Sequence, residues 1–140
     1  MAFRSQFRVH FEEADPAGIA FFGVVYNKVH HAYEDFLASM GIDLTAWFLN
    51  PEVITPIRGL TTNFTRPLLP LETYDIQVVV PSISEHSFQL RFTIEQEGQE
   101  HCQVTTTHVC VEKSKMKKIT IPETLRLQLE KHRERSPDPR

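Results

Sequence analysis

Between Phe3 and Glu12 apolar and polar positions alternate. Phe3, Phe7, Val9 and Phe11 occupy odd positions, with Arg4, Gln6, Arg8, His10 and Glu12 between them. A period of two predicts a half-buried strand. The next segment, Glu13 to Gly18, carries a proline and a glycine and predicts that the strand ends in a tight turn or loop. From Phe22 the period changes. Phe22, Val25, Val29, Tyr33, Phe36, Leu37 and Met40 recur at three- and four-residue steps, and Gly41 stands where a helix C′ glycine belongs. The pattern predicts a helix from Phe22 to Met40, about 27 Å long at 1.5 Å per residue.

Beyond the helix, Ile42 to Thr55 holds Trp47, Phe48 and Pro51 without a clear period and predicts a short helical turn and loop. Strands are predicted over Pro56 to Thr65, Tyr74 to Val80, Ser87 to Gln96 and Gln99 to Val111, the last two joined across Glu97-Gly98. Short connections imply antiparallel pairing. Pro122 begins a last helix that runs to about Arg133, and the tail Ser136 to Arg140, with two prolines, is expected to be disordered. The order predicts a single α+β domain over residues 1–135, a five-stranded antiparallel sheet wrapped on one long central helix, plus a C-terminal helix. One helix covers only part of such a sheet, so open edges favour dimerisation.

Composition narrows the classes. The 140 residues are 41% hydrophobic and 24% charged, as in globular domains, and a net charge of −3 gives no general attraction to nucleic acid or anionic membrane. The start, Met1 to His10, has no continuous apolar stretch and reads as neither a signal peptide nor a membrane span. Cys102 and Cys110 lie in one predicted strand, roughly 26 Å apart at the strand rise, too far to bridge each other. Two free thiols fit a reducing cytoplasm. No spacing of His, Cys or Asp suggests a metal site, no Gly-rich phosphate loop is present, and no serine sits in a Gly-x-Ser-x-Gly elbow.

The run Phe11-Glu12-Glu13-Ala14-Asp15-Pro16-Ala17-Gly18-Ile19-Ala20-Phe21-Phe22, followed by Tyr26 and Glu34, resembles the hotdog-fold thioesterases, and within them the 4-hydroxybenzoyl-CoA thioesterase family. Thr55-Pro56-Ile57 leading to Asn63-Phe64, and Val109-Cys110-Val111 through Lys115-Met116-Lys117 to Ile121-Pro122-Glu123, extend the resemblance over about residues 5 to 130. It implies a homodimer or homotetramer that binds acyl-CoA at the subunit interface, with no metal and no redox cofactor. Asp15 matches the family's catalytic aspartate. Phe22 matches the residue whose backbone N–H polarises the thioester carbonyl.

Those residue types suit the reaction. Thioester hydrolysis needs a nucleophile or a base for water, which Asp15 supplies, and a positive site for the developing oxyanion, which a helix N-terminus supplies. Gly18 lets the backbone approach a ligand closely. The competing reading is that Asp15 only caps the helix or a turn. Tyr26, His30 and Glu34 step by four along one helical face and either line the acyl pocket or form a polar stripe in which His30 bonds Glu34. Thr55, from this chain or its partner, is placed to position the acyl group or the attacking water. Two departures bear on the substrate. His30 stands where the 4-hydroxybenzoyl enzyme has a phenol-binding aspartate, and Ser84-Glu85-His86 replaces a basic run for CoA phosphates. Thioesters of acyl carrier protein, hotdog dehydratase chemistry and a non-catalytic acyl-binding module remain the alternatives.

Overall fold

The computed structural model describes residues 2–134, so the expected disordered tail lies outside the described residues. Eight strands and three helices follow one another as β1 (Phe3–Arg8), α1 (Phe22–Ser39), α2 (Leu44–Phe48), β2 (Val53–Ile54), β3 (Ile57–Phe64), β4 (Thr73–Val79), β5 (Ser87–Gln96), β6 (Gln99–Val109), β7 (Val111–Glu112), β8 (Lys117–Lys118) and α3 (Glu123–Glu130). Five strands form one antiparallel sheet in the order β1-β4-β5-β6-β3. The α+β expectation, with one long helix on a five-stranded sheet, is met.

The period-two strands put one face under α1. Tyr74, Ile76 and Val78 of β4, Phe88, Leu90, Phe92 and Ile94 of β5, and Cys102 and Val104 of β6 are buried against Val25, Val29, Ala32, Tyr33, Phe36 and Leu37 of the helix. The opposite face carries Gln77, Arg91, Thr93 and Gln103, each only half-buried. Each large apolar side chain removed from water in this layer contributes about 1.5–3 kcal/mol, so the helix is held by its stripe rather than by intrinsic propensity. Gly41, with φ +79°, ends α1 as its position predicted. The β5–β6 hairpin turns at Glu97 and Gly98, both in the left-handed region, with Gln96 opposite Gln99.

Several boundaries depart from the sequence reading. Phe11 is not on the first strand. The Glu13 carboxylate accepts the His10 N–H at 2.7 Å while the Glu13 N–H donates to the His10 carbonyl at 3.0 Å, and this closed turn swings Phe11 into solvent, 74% exposed. The last long strand stops at Val109 because the Cys110 N–H is taken by the His86 carbonyl. Val111–Glu112 then pairs with Val53–Ile54 and Lys117–Lys118 in a second small sheet that the pattern did not signal. Pro122 is the N-cap of α3 rather than its first helical residue. That helix ends at Glu130, short of the expected Arg133, because the chain turns to exchange backbone bonds with Val80.

β3 is the exposed edge. None of its residues is fully buried, and Ile57, Leu60 and Phe64 present half-exposed apolar side chains. The helix covers β1 and β4 but leaves a trench between its own flank and β3.

Candidate active site

The loop before α1 is a closed hairpin. Ala14 and Ala20 form an antiparallel bridge, the Asp15 N–H donates to the Ile19 carbonyl at 2.9 Å, and the Gly18 N–H donates to the Asp15 carbonyl at 2.9 Å. Pro16 sits second in this turn, where its fixed φ fits, and Gly18 follows at φ +79°, which a Cβ would strain. Within the turn the Ala17 N–H donates to Asp15 Oδ1 at 2.8 Å. The capping reading of Asp15 is therefore true of one oxygen. The other accepts no hydrogen bond among the described residues.

Two further bonds tie the loop down. The Phe21 N–H donates to the Glu13 carbonyl at 3.0 Å, and the Ala20 N–H donates to the Leu68 carbonyl at 2.6 Å. Glu13 also meets the Lys28 ammonium of α1 at 3.3 Å. Burial pushes the Glu13 carboxyl up, but the His10 N–H and Lys28 outweigh it and hold the group below the ordinary carboxylate value.

Phe21 caps α1 without a side-chain bond. The Val24 N–H is used by the Phe21 carbonyl at 2.9 Å, so Phe22 and Gly23 carry the open N–H groups of the first turn among the described residues. Asp15 and Phe22 line the same cleft, about 440 Å³, with Val25 on the helix side and Phe64, Thr65, Arg66 and Leu68 opposite. Its far wall is fixed by the last long strand. The Thr65 and Arg66 N–H groups donate to the His101 carbonyl at 2.9 and 3.0 Å, and His101 Nδ1 meets the Pro67 carbonyl at 3.0 Å. Asp15, Phe22 at the positive end of an 18-residue helix and Arg66 thus line one cleft.

Gly23, next to the cleft residue Phe22, is a position that the sequence reading passed over. A Cβ there would meet the Phe21 ring at 2.6 Å, so only glycine lets that aromatic lie against the helix start. The signal was a glycine at the second position of a helix, where it is otherwise unfavourable.

The remaining expected residues are distributed differently. Gly18 belongs to the turn beside the cleft. Tyr26 and His30 line a second pocket of about 300 Å³ with Leu60, Phe92, Thr106 and His108. Tyr26 shares a hydrogen bond with Thr62 at 3.0 Å, at the waist between the two cavities. Glu34 borders neither cavity and bonds His30 Nδ1 at 2.7 Å, the polar-stripe arrangement. Thr55 lines surface hollows beside Trp47 and is not brought to Asp15 within this chain. The Ser84-Glu85-His86 turn is clamped by Arg126, whose Nη2 donates to the Ser84 carbonyl at 2.7 Å. Burial pushes the Cys102 and Cys110 thiols up to about 11, which leaves them protonated at neutral pH.

Among the described residues no cluster of His, Cys, Asp and Glu gathers to hold a metal ion, and no helix is long and apolar enough to cross a membrane.

Known proteins share both sequence and fold with this chain. Residues 9–129 match the thioesterase-like superfamily. The 1,4-dihydroxy-2-naphthoyl-CoA hydrolase of Thermosynechococcus vestitus is 31% identical over 84% of this chain and 81% of its own. The enzyme of that name from Microcystis aeruginosa is 32% identical over 84% and 86%. Among solved structures, a 1,4-dihydroxy-2-naphthoyl-CoA thioesterase from Synechocystis superposes with a TM-score of 0.85 at 22% identity, covering 92% of this chain and 96% of its own. A gentisyl-coenzyme A thioesterase gives 0.80 at 24% identity, over 91% and 99%. The chain belongs to the thioesterase-like superfamily and is a hotdog-fold thioester hydrolase.

Proposed function

We propose that the protein hydrolyses the coenzyme A thioester of a hydroxylated aromatic acid, with Asp15 as the carboxylate that activates or replaces the attacking water. The observation that supports this reading is the shared cleft, lined both by Asp15, one of whose oxygens accepts no hydrogen bond among the described residues, and by Phe22, whose N–H is open at the helix start. The thioester carbonyl oxygen accepts from Phe22 N–H, where the helix dipole and the aligned donor stabilise the charge that develops on it. Asp15 then takes a proton from water as that water attacks the carbonyl carbon. Alternatively its oxygen attacks directly, giving a mixed anhydride that water cleaves afterwards. On either route the C–S bond breaks, the thiolate leaves and is protonated, and the free acid departs.

The aromatic assignment rests on the kinship with enzymes named for 1,4-dihydroxy-2-naphthoyl-CoA and on an apolar second pocket beyond the waist. The resemblance to 4-hydroxybenzoyl-CoA thioesterases rests on the loop and helix start. Those residues govern the reaction rather than the acyl group.

The edge strand β3 supports a homodimer. Among the described residues its outer backbone edge is unpaired, Ile57, Leu60 and Phe64 are half-exposed along it, and both cavities are lined by its residues. A second copy seated there closes the trench and offers a route for Thr55 of the partner subunit to approach Asp15. In this assembly Leu60→Lys yields monomers on size-exclusion chromatography with much reduced turnover. A dimer of unchanged stability in that variant sinks the assignment of this edge.

The deciding experiment is thiol release from a panel of aromatic, short-chain and long-chain acyl-CoAs and acyl carrier protein thioesters, with Asp15→Asn alongside. Hydrolysis of aroyl-CoA that collapses in Asp15→Asn supports the reading. Undiminished hydrolysis in the variant defeats the mechanism, preference for acyl carrier protein replaces CoA as carrier, and silence across the panel favours a binding module.

A further inference from the structure

The second pocket has a polar end that the reaction does not use. Thr106 and His108, both on β6 and on its face toward α1, are the two buried polar side chains among the described residues, exposed by only 2% and 1%. They share a hydrogen bond of 2.7 Å between Thr106 Oγ1 and His108 Nε2. His108 Nδ1 is shielded from water and has no hydrogen-bond partner among the described residues. The imidazole is stacked on Phe88 at 5.0 Å and 3°, with Tyr33 4.9 Å away on a tilted plane. Burial and the nearby His30 lower its pKa to about 4, so the ring is neutral at physiological pH. A buried, unmatched ring nitrogen is costly and uncommon in a folded protein.

The position of this pair along the trench gives it a partner. As α1 is followed from Phe22 to Tyr33, its neighbours on β3 run backwards from Phe64 through Thr62 to Leu60 and Ile57. From Phe22 N–H, where the thioester carbonyl sits, to the level of Val29 is about 10 Å along the helix axis. A fused two-ring acyl group with one hydrogen bond at its far end spans that interval. The walls there are mostly apolar and aromatic; of the polar lining residues Asn27 and His30 are exposed, and Thr106 and His108 are the buried ones.

Resting on the thioesterase reading above, we propose that Thr106 and His108 determine specificity by hydrogen-bonding a ring hydroxyl of an aromatic acyl group seated between α1 and β3. A hydroxyl fits where a charged substituent does not. If Nε2 carries the proton, Nδ1 accepts from the ligand O–H; if Thr106 donates to Nε2, Nδ1–H donates to the ligand oxygen. A hydroxyl satisfies both tautomers and brings no charge into an apolar pocket, whereas a carboxylate satisfies one and must be stripped of water. The acyl group reaches Nδ1 by displacing the side chains that close over it in the empty pocket.

The test compares two aroyl-CoA thioesters identical except for one ring hydroxyl. In the unmodified protein kcat/KM favours the hydroxylated thioester by tenfold or more. In His108→Phe, which preserves ring stacking, the ratio falls to within twofold; in Thr106→Val, which preserves size, it falls several-fold. Binding of the same pair to Asp15→Asn, measured by calorimetry with and without His108→Phe, separates the two readings. A hydroxyl preference in binding that His108→Phe removes, when the unmodified protein cleaves neither thioester, sustains the pocket and refutes the reading of these aroyl-CoAs as substrates. Hydrolysis with an unchanged ratio in both variants, or an equal loss for both thioesters, refutes the pocket and leaves the hydrolase standing. Absence of both cleavage and binding preference refutes both.

Discussion

The Tyr26 and Thr62 hydroxyls meet at 3.0 Å across the trench between α1 and β3, dividing the Asp15 cleft from the pocket that ends at His108. One side chain comes from the helix and the other from the edge strand, so the bond ties together elements that no backbone ladder joins. On the function proposed here, an acyl group that fills both cavities runs past this bond. Tyr26→Phe keeps the ring and removes the bond, at a cost of about 1 kcal/mol in stability. The expected kinetic result is a several-fold shift in relative kcat/KM toward two-ring over one-ring aroyl-CoAs. Identical ratios in Tyr26→Phe and in the unmodified enzyme remove the waist as a control point.

Asp15→Asn leaves an amide oxygen to accept from Ala17, so the turn persists while the base is lost. The expected outcome is a fall in kcat of about 10²–10⁴ with little change in melting temperature. Asp15→Ala loses the turn bond as well and costs about 1 kcal/mol more in unfolding free energy. Equal kcat losses with different stabilities in the two variants assign the chemistry and the turn to separate oxygens of one side chain.

Gly23→Ala separates stability from activity. Alanine in place of a helical glycine contributes up to about 1 kcal/mol through helix propensity. Its Cβ, however, meets the Phe21 ring at 2.6 Å, so that half-exposed ring has to shift beside Phe22, whose ring lies 4.8 Å away. The expected result is an unchanged or raised melting temperature with turnover reduced about tenfold, the order of one displaced transition-state contact. Full activity in Gly23→Ala shows that the Phe21 ring has no influence on the open N–H groups.

His108 makes folding stability depend on pH. Its folded pKa of about 4 lies below the ordinary histidine value, so the unfolded chain binds a proton more readily. The stabilisation is complete above about pH 6.5 and is lost as pH falls toward 4, with a ceiling on the order of 3 kcal/mol. Denaturant unfolding at pH 7, 5.5 and 4.5 is expected to show a steeper decline for the unmodified protein than for His108→Phe. Parallel declines contradict the burial of a neutral imidazole.

What the sequence disclosed and what it hid follow from the range of the forces involved. Helix α1 and strands β4 to β6 were legible because burying one face imposes a period on consecutive residues, and Gly41 and Gly98 mark positions that need a left-handed backbone. The Asp15 turn was legible for the same local reason, with proline and glycine at fixed offsets. Phe11 was misplaced because a single side-chain bond from Glu13 to His10 overrode the alternation. The β2–β7–β8 sheet was invisible because two-residue strands carry no period. His101 and His108 stand at odd and even positions of a threonine- and valine-rich strand, which puts them on opposite faces but does not say what Thr106, His108 or His101 meets. Their positions beneath the helix and behind Pro67 depend on contacts far apart in sequence.

The closed loop of residues 14–20 has a consequence for descent. The carboxylate, the turn that holds it and the open helix amides fall within one stretch of chain, pinned to its surroundings through Leu68 and Lys28. The acyl pocket, by contrast, is assembled from α1, β3, β5 and β6. On the function proposed here, substitutions at the pocket positions of the three strands alter what is accepted without touching the segment that carries Asp15. A lineage built this way inherits its reaction as a cassette and can change its diet one side chain at a time.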